Sequence, residues 1–269
     1  MVCFVEYDLQ MLSKVTNRFR DVETLYRPTL IELLEAMSPV LRTCMLEYFA
    51  PSCCIGTCKI AQEILAYYGF TARAFATTVY IYNAAMQRLV DTGVEIPDDC
   101  EERIALFNQT GAWGVGIVPN GMTADGGDKF GGHLVLRVDG LLVDGSLQQA
   151  QRIERDIVLP PLLWFKPTPA GFFASRVKAQ RTAGMLGDCM VVYRRLENPS
   201  YLTSPNWRQK HAGIPEVFAK VLTLTALGLE RARKGPETAS GRAADPADGQ
   251  TPIRTLPAPQ KPKLAVPST

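Results

Sequence analysis

The sequence predicts an α+β domain in which an antiparallel sheet packs on a cysteine-bearing helix. Three observations carry this expectation. A helical apolar period runs through Ile60, Ile64, Leu65 and Tyr68. Directly after Gly69, Phe70 to Tyr82 is rich in β-branched and aromatic residues and reads as a strand. Farther on, His133 to Ser146 consists of two apolar runs joined by Asp139-Gly140, the preferred two-residue hairpin turn.

The bulk composition bounds the answer. With 269 residues, 46% of them hydrophobic, the chain can bury a substantial core. Lys+Arg 29 against Asp+Glu 27 leaves a net charge of +2, which argues for neither nucleic acid nor an anionic membrane as partner. Glu6 and Asp8 stand where a signal peptide would carry bases, and no run approaches the roughly 18 apolar residues of a membrane span. Even Val217 to Leu229 is interrupted by Lys220. Seven cysteines, odd in number and irregularly spaced, imply free thiols in a reducing, cytoplasmic setting.

Taken in order, residues 1–28 are mixed and carry no assignment, 29–234 form the domain, and 235–269 form a tail. Thr29 to Phe49 reads as a helix with Leu30, Leu33, Leu34, Met37, Leu41 and Met45 as its apolar stripe. Pro51 breaks it. Ser52 is a natural N-cap for the next helix, from about Cys53 to Tyr68, and Gly69 stands at its C-terminal cap. Ala84 to Val94 and Glu101 to Phe107 read as helical, and Trp113 to Val118 as a strand. Pro119 to Gly132 is a glycine-bearing polar loop that leads straight to His133, a candidate flap. Residues 147–200 hold further strands and loops, Met190 to Tyr193 the clearest of them. Ile214 to Arg233 reads as a helix with Pro215 in its first turn. The tail, Pro- and Ala-rich without an aromatic residue, is expected to be disordered because it has too little to bury.

Chemistry concentrates at two places. Cys53 and Cys54 fall in the first turn of a helix, where unpaired N–H groups and the helix dipole favour a thiolate. In the hairpin, a turn at Asp139-Gly140 sets Val135 opposite Asp144 and His133 opposite Ser146. His133, Val135, Asp144 and Ser146 then share one face, with His133 and Asp144 as diagonal neighbours. Leu134, Leu136, Val138, Leu141 and Val143 cover the other. A primed cysteine, a histidine to take its proton and an aspartate to orient the histidine are the parts of a thiol nucleophile system. Cys58, one turn beyond Cys54, suits a supporting or redox role. His211, the second of two histidines, reads as a solvated loop residue. Adjacent Cys53 and Cys54 point in different directions and no Cys-x-x-Cys pair completes a zinc site, so no metal or cofactor is expected. The glycine-bearing loop lacks a P-loop's Lys-Ser/Thr ending.

The order Cys, His, Asp on a helix followed by strands resembles the transglutaminase-like superfamily, the circularly rearranged relatives of papain. Gly69-Phe-Thr-Ala-Arg73 resembles that family's Gly-aliphatic-Pro-Ala-Arg motif, with Phe70 and Thr71 departing from it. In many members that glycine follows the nucleophile at the distance separating Cys54 from Gly69. Leu142 to Gln149 resembles the Asp-bearing strand of small bacterial and phage members, and Leu134 replaces the usual aromatic after the histidine. The resemblance covers about Ser52 to Gln149. It implies Cys54 as nucleophile, His133 as base and acid, and Asp144 as the orienting carboxylate. Ser146 and Gln149 become candidates for supporting or substrate contacts. The implied activity is acyl transfer from a peptide, amide or thioester through a thioester intermediate. The alternative is a non-catalytic member of the same fold acting as a binding or maturation partner.

Overall fold

The computed structural model describes residues 28–50, 53–117, 130–168, 170–173, 181–208, 210 and 213–234. Ser52, most of the expected flap, His211, the N-terminal segment up to residue 27 and the tail lie outside the described residues.

Helix α1 (Leu30–Tyr48) starts on Thr29 through a capping box. The Thr29 hydroxyl accepts from Glu32 N (3.3 Å), and the Glu32 carboxylate accepts from Thr29 N (2.7 Å). Helix α2 (Cys54–Tyr67) corrects one expectation: its N-cap is Cys53, not Ser52. The Cys53 side chain makes no capping bond. Its sulfur contacts Arg42 and Thr57 instead, so the cap position serves tertiary packing. The other end follows the sequence. Gly69 takes φ +82°, and the N–H groups of Gly69 and Phe70 close the helix on Ala66 O and Leu65 O. That use of Phe70 is why β1 (Ala72–Tyr82) starts two residues later than its composition suggests.

Helix α3 (Ala84–Asp91) is capped by Asn83 and stops short of Val94, because the chain turns through Gly93 at φ +68°. Helix α4 (Cys100–Thr110) is longer than expected. The Asp99 carboxylate accepts from Glu101 N and Glu102 N, and Gly111 at φ +68° ends it. Strands β2 (Gly114–Ile117), β3 (His133–Val138) and β4 (Leu141–Asp144) follow. The β3–β4 turn has φ 47° at Asp139 and 81° at Gly140, and Val138 pairs with Leu141, Arg137 with Leu142 and Leu136 with Val143. That is the register expected from the turn. Strands β5 (Leu163–Phe165), β6 (Arg181–Leu186) and β7 (Cys189–Arg195) and helix α5 (Gly213–Lys234) complete the described chain.

All strand pairs are antiparallel, in the order β5-β4-β3-β1-β7-β6, with β2 also on β1. The sheet nearly closes: past the end of β5, Thr168 N donates to the Thr182 hydroxyl of the far strand β6 (2.9 Å). Two cores result, one on each face. Leu134, Leu136, Val138 and Val143 pack with Leu33, Met37, Leu41 and Met45 of α1, Ile60 and Ile64 of α2, and Val217 and Val221 of α5. Val135 and Leu142, of opposite parity, pack inside the curved sheet with Val79, Ile81, Phe165, Val191 and Tyr193. Each fully buried Leu, Ile or Val contributes on the order of 2 kcal/mol. Among the described residues no helix is long and apolar enough to cross a membrane.

Candidate active site

The site lies where the two cores meet. Cys54 belongs to the helical core, Tyr193 to the core inside the sheet, and the β3–β4 hairpin joins them.

Cys54 is the first residue of α2, and the first N–H groups of a helix lack intrahelical acceptors. The three neighbouring thiols have different surroundings. The Cys53 sulfur stands 3.5 Å from both Arg42 Nη1, which donates to it, and the Thr57 hydroxyl. Burial raises the Cys53 thiol pKa, while Thr57 and the Arg42 guanidinium pull against it. The Cys58 thiol donates to Leu134 O (3.0 Å). Burial pushes its pKa well up, reinforced by Cys54 and Asp144. Cys58 is therefore a neutral thiol that ties α2 to β3. Cys54 is the cysteine whose proximity helps Asp144 to raise the His133 imidazole pKa.

His133 and Asp144 are fully buried, and His133 Nε2 stands 2.7 Å from Asp144 Oδ2. The diagonal pairing read from the turn is the pairing observed. Asp144 accepts two further bonds, at Oδ2 from the Tyr193 hydroxyl (2.8 Å) and at Oδ1 from Ser146 N (2.9 Å). Burial alone would raise its carboxyl pKa, but His133 and these donors hold it below the usual value. Burial alone would likewise depress the imidazole. The Asp144 charge and hydrogen bond, with Cys54, instead raise it to about 10. On the neighbouring strand β1, the Thr77 hydroxyl donates to His133 O (3.2 Å).

Gln149 meets the ring's other nitrogen, its Nε2 3.0 Å from His133 Nδ1. It sits on the short 3₁₀ turn Leu147–Ala150, whose Leu147 and Ala150 are buried while Gln149 is partly exposed. Ser146 supports Asp144 through its backbone. Its buried hydroxyl has no hydrogen-bond partner among the described residues. Gly145 allows the hairpin to press against the helices, since a Cβ there would lie 2.8 Å from Leu41 Cδ2 and 2.9 Å from Thr57 Cγ2.

The structure thus brings together Cys54, His133, Asp144, Cys58, Ser146 and Gln149. Sequence reasoning missed Tyr193 and Arg42. Tyr193 was visible only as an aromatic in a convincing strand, and Arg42 only as a cation amid the apolar stripe of α1, a signal that could have drawn notice. The arrangement offers a thiol at a helix N-terminus, an imidazole within its reach and an enclosed carboxylate behind the imidazole. Among the described residues no group of three or more His, Cys, Asp or Glu side chains is arranged to hold a metal ion. Compared with protein-family models, curated proteins and solved structures, the chain gives no match.

Proposed function

We propose that the protein is a cysteine-dependent acyl-transfer enzyme of transglutaminase-like type, a thiol hydrolase or acyltransferase acting through a Cys54-His133-Asp144 triad. The observation that carries this reading is the enclosed His133–Asp144 pair at 2.7 Å, with Cys54 at the start of α2 near enough to help raise the imidazole pKa. His133 holds the proton of the Cys54–His133 pair at rest, in keeping with its raised pKa, and the Cys54 sulfur bonds to the acyl carbon of a peptide, amide or thioester. As the tetrahedral species collapses, the bond to the leaving group breaks and His133 returns the proton to that group. Water or an amine, deprotonated by His133, then attacks the thioester and releases Cys54. Asp144 keeps the ring oriented and stabilises its charged form. The Cys54 N–H, at the positive end of α2, suits the developing oxyanion. A reducing, cytoplasmic location suits such a nucleophile, and the described cysteines are all free.

Iodoacetamide provides the test, with exposed Cys100 as internal reference. Cys54 is expected to alkylate faster than Cys100 at pH 6 and to lose that lead in His133→Ala. A thioester probe should leave a hydroxylamine-sensitive acyl group on Cys54. The full enclosure of His133 favours a second reading, a non-catalytic fold serving as a binding or maturation partner. Cys54 labelling no faster than Cys100, with no acyl adduct, would establish that one.

A further inference from the structure

We propose that the outer face of the sheet holds a binding site for an aromatic phosphate monoester, with Thr78, Arg194 and Arg181 on the phosphate and Tyr80 against the ring. The site uses none of the triad's residues and stands whether or not Cys54 is a nucleophile.

Strand register builds it. Thr78 of β1 pairs with Arg194 of β7, and Arg194 pairs with Arg181 of β6. Residues directly opposite share a face, so the three form one row across strands about 4.8 Å apart. Two cations thus stand opposite each other, an arrangement that is destabilising without an anion beside them. Among the described residues neither Arg181 nor Arg194 has an ion pair. Arg194 Nε is buried with no hydrogen-bond partner among those residues, and so is the hydroxyl of Thr78, which is only 5% exposed. Buried polar groups in this state point to a bound water or ion. Water would satisfy them but leave the charges unneutralised. One guanidinium fork saturates a carboxylate, whereas two forks and a hydroxyl suit the three terminal oxygens of a phosphate monoester.

The same face continues as an apolar strip. Its next rows are Tyr80-Val192-Ala183 and Tyr82-Met190-Met185. All six side chains are half-buried and belong to neither core. Their neighbours of opposite parity, among them Val79, Ile81 and Val191, fill the inside of the sheet. Burial and Tyr80 raise the Tyr82 pKa while Arg181 draws it down, so the field of the guanidinium extends over the strip. Tyr80 lies two residues, about 7 Å, along β1 from Thr78. An aromatic group esterified to a phosphate on the arginine row therefore reaches its ring. The occupant that complements this face has an anionic head and an apolar, planar body.

Calorimetric titration of the full chain tests this with phenyl phosphate as probe, against inorganic phosphate and benzoate. Phenyl phosphate is expected to bind about tenfold more tightly than either, since it alone offers both a phosphate and a ring. Arg181→Gln, at an exposed position, and Arg194→Gln should each weaken it about tenfold, and Thr78→Val about fivefold. Tyr80→Ala should bring phenyl phosphate down to the affinity of inorganic phosphate and leave the latter unchanged. AMP and O-phosphotyrosine are two sources of this chemistry. Either binding more tightly than inorganic phosphate supports the site, and the tighter names its source; neither doing so overturns it. No saturable binding of phenyl phosphate, an equal affinity for benzoate, or a folded Arg181→Gln protein that binds within about twofold of wild type overturns it as well. Cys54 labelling is read separately, so the triad reading stands or falls on its own result.

Discussion

Asp144 is an anion shut away from water, and it stays charged because three donors converge on it: His133 Nε2, the Tyr193 hydroxyl and Ser146 N. Such a pair makes stability depend on pH in a direction that follows from the two shifts. The His133 pKa rises from 6.5 to about 10 on folding, so its contribution is whole below pH 6.5 and is lost as the pH climbs through about 10. The Asp144 pKa falls from 3.8, so its contribution is whole above pH 3.8 and is lost as acid reaches the depressed value. Both are whole only from pH 3.8 to 6.5. The stability gap between wild type and Asp144→Asn, measured by urea unfolding, should therefore narrow steadily from pH 6.5 to 9.5. A gap that stays constant would show that the pair is not ionised. At this scale much was readable. A helix start picks out Cys53 and Cys54, and hairpin parity picks out His133 with Asp144, because both depend on neighbours in sequence. The Tyr193 contact crosses a separation of 49 residues, and no local rule reports it.

At the scale of elements, the β3–β4 hairpin does two things at once: its turn sets the His133–Asp144 diagonal, and its end wedges against α1 and α2. Gly145 is the wedge. Its backbone is compatible with other residues, so an added methyl group tests contact alone. Gly145→Ala is expected to destabilise the protein by about 1–3 kcal/mol, the usual cost of overpacking, as read from chemical denaturation. Leu41 can swing its branch away, but Thr57 is β-branched on a helix and cannot. Cys54 labelling should slow as well, because the displaced hairpin carries the base. An unchanged midpoint would mean that the helices yield freely. Most elements were legible from capping and turn residues: Thr29, Gly69 and Asp139-Gly140 mark their boundaries by local backbone chemistry. The exceptions have local causes too, such as Phe70, whose N–H closes α2 before β1 can begin.

Across the whole molecule, β1 is the shared spine, pairing with β2, β3 and β7. Its Ala72 end contributes to the helical core and its Val79 and Ile81 to the core inside the sheet, so neither core can come apart without disturbing the other. A single unfolding transition is expected, with tryptophan fluorescence and far-UV circular dichroism coincident in urea. Trp164 and Trp207 report on the helical core and Trp113 on the other, so separate unfolding would split the two curves. The α+β class, the Gly69 cap, the hairpin register and the His133–Asp144 pairing were all legible along the chain, because they follow from periodicity and from residues a few positions apart. The curl of the sheet, the Tyr193 and Arg42 contacts and the Gln149 amide on Nδ1 required the folded chain. Each depends on how separate elements pack, and that packing is settled only when distant side chains compete for the same space.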